Sequence, residues 1–301
     1  PSGRLQGVEQ EGEKTMGKIV IVGSGPAGCS AALYAARAGQ EVVVISMGMG
    51  ALSKAELIQN YYGFEEGITG AELYRQGVAG AKAVGAEFIT AEVVGLDYTG
   101  SLVVQTTEGD YPADAVILAT GTGRIAPKIA GLAEHEGRGV SYCATCDAFF
   151  YRGKTAAVLG SGEYALHEVQ ALLPLAGRVI LCTNGEPLTA DFPEGVEICT
   201  EKLAAVEGEE KVSALRLENG ELLPVEGLFV ALGVAGSAAL ARKLGAPVEN
   251  GRIVVDEKMQ TGIPGLYAAG DCTGGLLQVC KAVYEGALAA TEAIKQIRGK
   301  K

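Results

Sequence analysis

Short runs of β-branched residues alternate with glycine turns and alanine-rich stretches along this chain. The segment KIVIVGSGPAGCSAALYAARAGQEVVVIS begins and ends with such a run and carries an alanine-rich stretch between them. Strand, turn, helix and strand in that order form a βαβ unit, the repeating unit of a parallel sheet. The segment KTAAVLGSGEYALHEVQALLPLAGRVILCT has the same pattern. The chain is therefore predicted to be an α/β protein that contains two such units.

The turn of the first unit contains Gly23, Gly25 and Gly28 with GxGxxG spacing. In this motif the first glycine permits a tight turn, the second lets the backbone approach a pyrophosphate, and the third packs helix against strand. The pyrophosphate then lies against N–H groups at the helix N-terminus. A single GxGxxG is a weak signal, so a glycine turn without a ligand is the alternative.

Two later strands end in residues that support a dinucleotide site. The run AVILATG ends at Thr120 and Gly121, and the run GLYAAGD ends at Gly270 and Asp271. Side chains at the carboxyl ends of parallel strands point into the crevice where α/β sheets bind their ligands. The three strand ends together favour a bound dinucleotide over an empty turn.

The second βαβ unit lies between the first unit and the GLYAAGD strand. Its turn has the related spacing GxGxxA, at Gly160, Gly162 and Ala165. We therefore predict two Rossmann-like, three-layer nucleotide-binding domains, the second inserted in the first. The predicted limits are 16–114 and 247–301 for the first domain and 115–246 for the inserted domain, with residues 1–15 as a polar leader or cloning remnant.

The composition argues against two large classes of partner. The chain of 301 residues has a net charge of −11 and a pI near 4.9. Phosphate backbones and anionic lipid surfaces attract basic proteins, so nucleic acid and membrane partners are not expected. No apolar run reaches the ~18 residues of a membrane span, and the N-terminal segment lacks the apolar core of a signal peptide. The protein is expected to act in the cytoplasm.

Seven cysteines are scattered along the chain, and Cys143 and Cys146 form its one closely spaced pair. An odd number in a chain of this length does not suggest a secreted disulfide framework. The C-x-x-C spacing favours redox chemistry, because a thiolate beside a partner thiol can exchange disulfides reversibly. Half of a zinc site is the alternative, although no second short-spaced ligand pair is present. The other cysteines are expected to be packed thiols, and His135, between two glutamates, is expected to be solvated.

Asp147 follows the cysteine pair directly. A carboxylate at this position can exchange protons with the sulfurs, since thiol and thiolate interconvert in each half-reaction. Alternatively, Asp147 caps a helix predicted for DAFFYRGK. The two roles are compatible.

These motifs together resemble those of the low-molecular-weight bacterial thioredoxin reductases, over nearly all of residues 17–298. The resemblance rests on GSGPAG, ATG, GRGVSYCATCDAFFYRGK, GxGxxA and GLYAAGD, of which CATCD is highly specific. It implies a homodimeric FAD protein in which Cys146 faces the flavin, Cys143 attacks thioredoxin and Asp147 is the acid. The residues expected to bind FAD are Gly23, Gly25, Pro26, Ala27, Gly28, Asn60, Thr120, Gly121, Gly270, Asp271 and Gln278.

The second nucleotide motif departs from this family. NADPH-using members carry a His-Arg-Arg run and a further arginine after the second inner strand, where they bind the 2′-phosphate. This chain has Thr183, Asn184, Gly185 and Thr189 there, and no carboxylate that would bind the 2′-hydroxyl of NAD. Losing several charge-assisted contacts of ~1.5–3 kcal/mol each weakens NADPH binding by orders of magnitude. Glu163 in the glycine turn would also repel a pyrophosphate.

The ferredoxin-dependent flavin thioredoxin reductases of anaerobes resemble this combination, since they keep CATCD and lose the nicotinamide motifs. The resemblance implies that reduced ferredoxin donates electrons to FAD, which passes them to the cysteine pair and thioredoxin. The alternatives are an NADPH- or NADH-dependent reductase with an unrecognised cofactor site, an oxygen-dependent dithiol oxidase, and a flavin-binding regulatory module. Basic residues that could dock an acidic ferredoxin are Arg124, Lys128, Arg138, Arg152 and Lys154.

Overall fold

A computed structural model describes residues 16–121, 129–233 and 235–299. Its first segment contains the predicted βαβ unit and the strands that follow it. The elements are β1 (Lys18–Val22), α1 (Pro26–Arg37), β2 (Glu41–Ser46), α2 (Gly70–Ala83), β3 (Glu87–Thr90), β4 (Val93–Tyr98), β5 (Leu102–Thr106), β6 (Gly109–Ala113) and β7 (Ala115–Leu118), with a 3-10 helix at Gly50–Lys54.

The second segment contains the repeated unit. Its elements are β8 (Val140–Ser141), α3 (Ala144–Asp147), β9 (Thr155–Leu159), α4 (Glu163–Leu172), β10 (Arg178–Cys182), β11 (Glu197–Cys199), β12 (Leu203–Glu207), β13 (Ala214–Leu217), β14 (Leu222–Pro224) and β15 (Gly227–Val230), with a 3-10 helix at Ala148–Tyr151. The third contains α5 (Ser237–Lys243), β16 (Val248–Glu249), β17 (Arg252–Ile253), β18 (Leu266–Ala268) and α6 (Val279–Gly299), with a 3-10 helix at Asp271–Thr273.

The first parallel sheet has the strand order β18-β7-β1-β2-β3. Because side chains alternate along a strand, Ile19 and Ile21 pack against α1 and α6 on one face. Val20 and Val22 pack on the other face, towards the antiparallel sheet of β4, β5 and β6. The result is a three-layer unit whose sheet is buried on both sides, as parallel sheets require.

The second parallel sheet has the order β11-β10-β9-β15-β8 and repeats this layering. Val179 and Leu181 of β10 lie in the same core as α4. Ile180 and Cys182 point to the opposite face, where β12 and β13 cover them. The predicted fold class, two Rossmann-like α/β units with the second between strands of the first, is therefore confirmed.

The predicted limits of the two units shift in the structure. The predicted limits place strand β7, Ala115–Leu118, in the inserted unit, but it pairs with β1 and β18 in the first sheet. Helix α5, Ser237–Lys243, also packs against β4 and β17. The chain thus leaves the first unit after β7 and returns before α5, because both elements bury apolar residues in the first core.

None of the helices in the described residues is both long and apolar enough to cross a membrane. The expectation for His135 is wrong, since its side chain is buried and both ring nitrogens meet backbone carbonyls, of Gly131 at 2.7 Å and of Gly208 at 3.1 Å. The ring lies between the turns at Gly131 and Gly208. The glutamates that flank His135 in the sequence do not predict this burial.

Candidate active site

A cavity of about 780 Å³ opens at the carboxyl ends of the strands of the first sheet. The glycine turn after β1, the loop after β2, and the strand ends after β7 and β18 all contribute to its wall. Every residue predicted to bind FAD, except Gly28, lines this cavity: Gly23, Gly25, Pro26, Ala27, Asn60, Thr120, Gly121, Gly270, Asp271 and Gln278. Residues from distant parts of the chain therefore meet in one crevice large enough for a dinucleotide.

The three glycines of the first turn have different surroundings. Gly23 has a φ of +109°, and a Cβ there would lie 2.4 Å from the carbonyl oxygen of Ala119. A Cβ on Gly28 would lie 1.9 Å from the oxygen of Gly23, so Gly28 lets α1 approach the strand. A Cβ on Gly25 would meet no heavy atom within 4 Å. The N-terminus of α1 is thus open towards the cavity, as binding of a pyrophosphate requires.

The turn after β18 is held by an ion pair that the sequence pattern did not indicate. Glu285 accepts hydrogen bonds from the N–H of Gly270 (2.8 Å) and the hydroxyl of Thr273 (2.9 Å). Lys281 lies 2.9 Å from Glu285 and donates to the oxygen of Gly270 at 2.7 Å. Burial raises the pKa of Asp271, while the charge of Lys281 opposes the shift. These contacts fix the turn that carries Asp271, which lines the cavity.

Two side-chain contacts join distant segments around the cavity. Asn60 donates a hydrogen bond to Gln278 at 2.8 Å, which links the loop after β2 to the start of α6. The hydroxyls of Thr120 and Ser237 lie 2.7 Å apart, and the N–H of Ser237 donates to Thr120 at 2.8 Å. The second contact ties together the two points at which the chain leaves and re-enters the first unit.

Sequence reasoning missed a hydroxyl cluster at the end of β2. Ser46 donates to Ser24 at 2.8 Å, and the Ser24 hydroxyl lies 3.1 Å from that of Tyr74. Ser24 and Ser46 line the cavity. Rossmann folds usually carry a ribose-binding carboxylate at about this point in the chain. A serine at the end of the second strand was the available signal, and hydroxyls can hydrogen-bond a sugar in its place.

Cys143 and Cys146 form a disulfide, with their Cα atoms 5.4 Å apart. Cys143 precedes α3, and its sulfur accepts a hydrogen bond from the N–H of Cys146 at 3.1 Å. Cys143 is only 4% exposed, whereas Cys146 is exposed and its sulfur lies 3.4 Å from the carbonyl oxygen of Lys243. The bonded pair accounts for the C-x-x-C spacing as a disulfide rather than half of a zinc site.

Asp147 directs its carboxylate towards Ser141 rather than towards a helix end. The hydroxyl of Ser141 donates to Asp147 at 2.7 Å and accepts from the N–H of Cys143 at 3.1 Å. Asp147 stands at the N-cap of the following 3-10 helix, but its side chain makes no capping hydrogen bond. The capping alternative is therefore wrong, and a chain of hydrogen bonds runs from the carboxylate of Asp147 through Ser141 to the backbone N–H of Cys143.

A buried ion pair lies behind the disulfide. Lys243 at the end of α5 pairs with Glu168 of α4, and each side chain is 1% exposed. Glu168 also accepts the N–H of Ala144, the first residue of α3, and lies 3.3 Å from Nδ1 of His167. Burial opposes ionisation of Glu168, but the hydrogen bond from His167 and the charge of Lys243 outweigh it and lower its pKa. The pair joins the two units directly beneath the redox disulfide.

The second glycine turn is covered by its own chain. A Cβ on Gly162 would lie 2.9 Å from the hydroxyl of Thr189, and the N–H of Thr189 donates to Ser161 at 2.8 Å. Glu92 lies beside the first turn of α4, where the N–H of Tyr164 acts to lower the pKa of its carboxyl group. Burial and the nearby charge of Glu163 raise the pKa of Glu92. Two carboxylates thus occupy the helix N-terminus that would face a pyrophosphate.

The residues that stand where NADPH-using relatives carry arginines for the 2′-phosphate make structural contacts here. Thr183 is buried after β10, and its N–H donates to the oxygen of Cys199 at 2.9 Å. Asn184 has a φ of +56° and accepts the N–H of Leu203 at 2.8 Å. Gly185 follows with a φ of +82°. This loop therefore turns back onto β12 and presents no cation of its own.

The chain matches the family described as pyridine nucleotide-disulphide oxidoreductase over residues 17–286. It is 35% identical to the thioredoxin reductase of Aquifex aeolicus (strain VF5), over 94% of each chain. It is similar to the solved structure of the atypical thioredoxin reductase TRi from Desulfovibrio vulgaris Hildenborough, with 40% identity, a TM-score of 0.89, and coverage of 95% of this chain and 99% of that one. A ferredoxin-flavin thioredoxin reductase from Clostridium acetobutylicum is 34% identical, with a TM-score of 0.71 and coverage of 95% and 99%.

Proposed function

Since the chain belongs to the pyridine nucleotide-disulphide oxidoreductase family, as a flavoprotein disulfide reductase of the thioredoxin reductase type, we propose that reduced ferredoxin is its electron donor. Thioredoxin reductases of this family bind FAD, and the cavity of the first unit fits a dinucleotide at the open N-terminus of α1. When bound, FAD supplies the electron pair that reduces the disulfide. We assign the FAD contacts to the predicted residues that line this cavity.

One observation carries the choice of donor: the glycine turn of the second unit is closed. Thr189 lies against Gly162, and Glu92 and Glu163 occupy the N-terminus of α4. A nicotinamide dinucleotide at this position would need to displace the loop and place its pyrophosphate beside two carboxylates. Similarity to a ferredoxin-flavin thioredoxin reductase supports the same donor.

The driving force for this reaction is sufficient. A low-potential ferredoxin near ~−400 mV and a thioredoxin near ~−270 mV differ by ~130 mV. For two electrons this difference corresponds to about 6 kcal/mol in the direction of thioredoxin reduction. No hydride donor is therefore required.

The cysteine pair transfers the electrons by thiol–disulfide exchange. Reduction of the Cys143–Cys146 bond adds two electrons and yields two thiols once two protons are bound. The thiolate of Cys143 then attacks the disulfide of thioredoxin, and Cys146 attacks the resulting mixed disulfide to release reduced thioredoxin. We assign proton exchange with the sulfurs to Asp147, whose carboxylate is held by Ser141 beside the backbone N–H of Cys143.

Thioredoxin requires a surface beside the disulfide and access to Cys143. Phe149 and Phe150 follow α3 and are each 67% exposed, and the guanidinium of Arg152 lies 5.4 Å from the ring of Phe149. Exposed aromatic side chains of this kind are favoured at protein interfaces. Because Cys143 is buried, the inserted unit must move relative to α5 before thioredoxin can reach that sulfur.

The donor is tested with anaerobic full-length protein loaded with FAD. Reduced ferredoxin should bleach the flavin at the rate of thioredoxin turnover, while millimolar NADPH or NADH should be slower by at least ~100-fold, given the missing charge-assisted contacts. The Cys143→Ser/Cys146→Ser variant is the control, since ferredoxin should still reduce its flavin without thioredoxin turnover. Flavin reduction by NADPH that keeps pace with thioredoxin turnover would overturn the proposed donor.

We also propose that the protein is a homodimer and that it acts in the cytoplasm. The family resemblance supports a dimer, and unbonded cysteines outside the redox pair fit a reducing compartment. Sedimentation equilibrium of the FAD-loaded protein tests the dimer, because a monomer at micromolar concentration would contradict it.

A further inference from the structure

Two cysteines outside the redox disulfide face each other across neighbouring strands. Strands β10 and β11 run parallel, and Cys182 is the register partner of Cys199. The N–H of Thr183, which follows Cys182, donates to the oxygen of Cys199 at 2.9 Å, so the backbones stay paired beyond these residues. The sequence predicts both cysteines to be packed thiols. Sixteen residues lie between Cys182 and Cys199 along the chain, so only the order of the strands brings them together.

The two side chains lie on the same face of the sheet. Cys182 belongs to the core formed with β12 and β13, and Cys199 packs against that same core. Neighbouring strands lie about 4.8 Å apart, and disulfides span Cα separations of roughly 4.4–6.8 Å. A bond between these sulfurs would therefore require little movement of the backbone.

The two thiols differ in exposure and in pKa, as an attacking cysteine and a resolving cysteine should. Cys182 is fully buried, while Cys199 is partly exposed. A hydrogen bond from Cys182 lowers the pKa of Cys199 to about 6, against the opposing effect of its partial burial. The same contact, together with burial, raises the pKa of Cys182. Cys199 is thus the more accessible and the more acidic of the two thiols, and Cys182 is the buried one.

We propose that Cys182 and Cys199 form a second redox-active dithiol, which small-molecule disulfides convert to a disulfide within the sheet. The thiolate of Cys199 attacks one sulfur of the small disulfide, forms a mixed disulfide and releases one thiolate. Cys182 then loses its proton and attacks the Cys199 sulfur, which releases the second thiolate. Two cysteine thiols are oxidised, one small disulfide is reduced to two thiols, and the atoms and electrons balance.

The new bond would tie the edge strand β11 to β10 at the base of the loop that covers the second glycine turn. That loop begins at Thr183 and reaches Gly162 through Thr189. The site uses neither the cavity of the first unit nor the Cys143–Cys146 pair, so it does not depend on which donor reduces the flavin.

Mass spectrometry of the intact, FAD-loaded chain tests the proposal. The protein is reduced, freed of reductant, treated with oxidised glutathione and digested with trypsin without reduction. Both cysteines fall in the tryptic peptide 179–202, whereas Cys143 and Cys146 fall in peptide 139–152, so the two pairs are read separately. We expect peptide 179–202 to be lighter by two hydrogen atoms, and a glutamate-specific protease to yield two disulfide-linked fragments.

Single variants test the order of the steps. Cys182→Ser should retain one glutathione on Cys199, because no second thiol can displace it. Cys199→Ser should lose both the adduct and the disulfide in this peptide. Cys29 is the internal control, since burial raises its pKa to about 12 and it should stay unmodified. Unchanged flavin content and far-ultraviolet circular dichroism confirm that each variant is folded.

Three results would overturn the proposal. One is an unmodified wild-type peptide 179–202 after Cys280, an exposed thiol, has reacted. Another is a stable glutathione adduct on wild-type Cys199 without a disulfide, because Cys182 would then be unable to resolve it. The third is equal modification of Cys29 and Cys199, which would mean that unfolding rather than the paired geometry exposes the thiols.

Discussion

Gly25 and Gly162 hold equivalent positions in two turns of similar sequence, yet the space above them differs. Nothing lies within 4 Å of a Cβ built on Gly25, while the hydroxyl of Thr189 lies 2.9 Å from one built on Gly162. A glycine whose free face is open lets a ligand approach the backbone, and one whose face is filled by the chain serves only local packing. This contrast is what the proposed retention of the first nucleotide site and loss of the second would produce.

Substitution of two glycines in the first turn should separate binding from stability. In Gly25→Ala, the added methyl group enters the cavity, so affinity for FAD should fall while the apo protein keeps its free energy of unfolding within ~0.5 kcal/mol. In Gly28→Ala, the methyl group meets the oxygen of Gly23, so the free energy of unfolding should fall by about 1–3 kcal/mol. Fluorescence titration with FAD and urea unfolding measure the two quantities. Wild-type affinity for FAD in Gly25→Ala would contradict a pyrophosphate at this turn.

The placement of individual residues in the cavity or in the disulfide could be predicted where one short motif determines it. Gly23, Cys143 and Asp271 fall into this group, because turn geometry, disulfide exchange and strand-end position follow from local spacing. The cover that Thr189 forms over Gly162 could not be predicted, since it depends on how the loop after β10 folds back. The sequence predicts that the arginines for the 2′-phosphate are missing after β10. The structure adds that Thr189 of the same chain lies in the space above Gly162.

At the scale of elements, α5 connects the redox disulfide to the first unit. Its last residues reach across to the inserted unit, where Lys243 pairs with Glu168 and Arg242 lies 4.6 Å from the ring of Tyr142 and 3.0 Å from Glu136. Glu168 in turn holds the first N–H of α3. The position of the disulfide is therefore set by an ion pair between helices distant in sequence, and no local motif could have predicted it.

Removing one member of this buried pair should be costly, and removing both charges should be less so. Lys243→Met leaves Glu168 buried without its cation and should lower the free energy of unfolding by about 3–5 kcal/mol. Adding Glu168→Gln removes the unpaired charge but keeps an acceptor for Ala144, so part of that loss should be recovered. Urea unfolding of the oxidised, FAD-loaded proteins measures both effects. A double variant less stable than Lys243→Met would contradict the pairing.

The same pair has a defined pH dependence. Because the pKa of Glu168 is lowered in the folded protein, its contribution to stability is complete above the carboxyl pKa of the unfolded chain and is lost as the pH falls through the folded pKa. In Lys243→Met, burial dominates and the sign reverses, since protonation then relieves the unpaired charge. The difference in stability between wild type and Lys243→Met should therefore shrink on acidification.

At the scale of the whole molecule, charge constrains how an acidic ferredoxin can dock. The chain carries −11 overall, so an acidic partner meets long-range repulsion and must bind at a local basic area. Of the candidate basic residues, Arg138, Arg152 and Lys154 are exposed and flank the CATCD motif in the sequence, whereas Arg124 and Lys128 lie outside the described residues. Arg152 and Lys154 follow the exposed Phe149 and Phe150, so we assign them to thioredoxin rather than ferredoxin.

This charge distribution predicts an optimum in the salt dependence of ferredoxin-driven turnover. With a Debye length of about 30 Å at 0.01 M and about 8 Å at 0.15 M salt, moderate salt screens the repulsion between two acidic proteins before it weakens close ion pairs. The value of kcat/KM for ferredoxin should therefore rise and then fall as salt is added, measured anaerobically at saturating thioredoxin. In Arg152→Gln/Lys154→Gln, KM for thioredoxin should rise while flavin reduction by ferredoxin keeps an optimum in its salt dependence. A monotonic fall of kcat/KM with salt would mean that the protein and its donor attract each other at all distances. The donor would then not be an acidic protein that approaches an acidic chain.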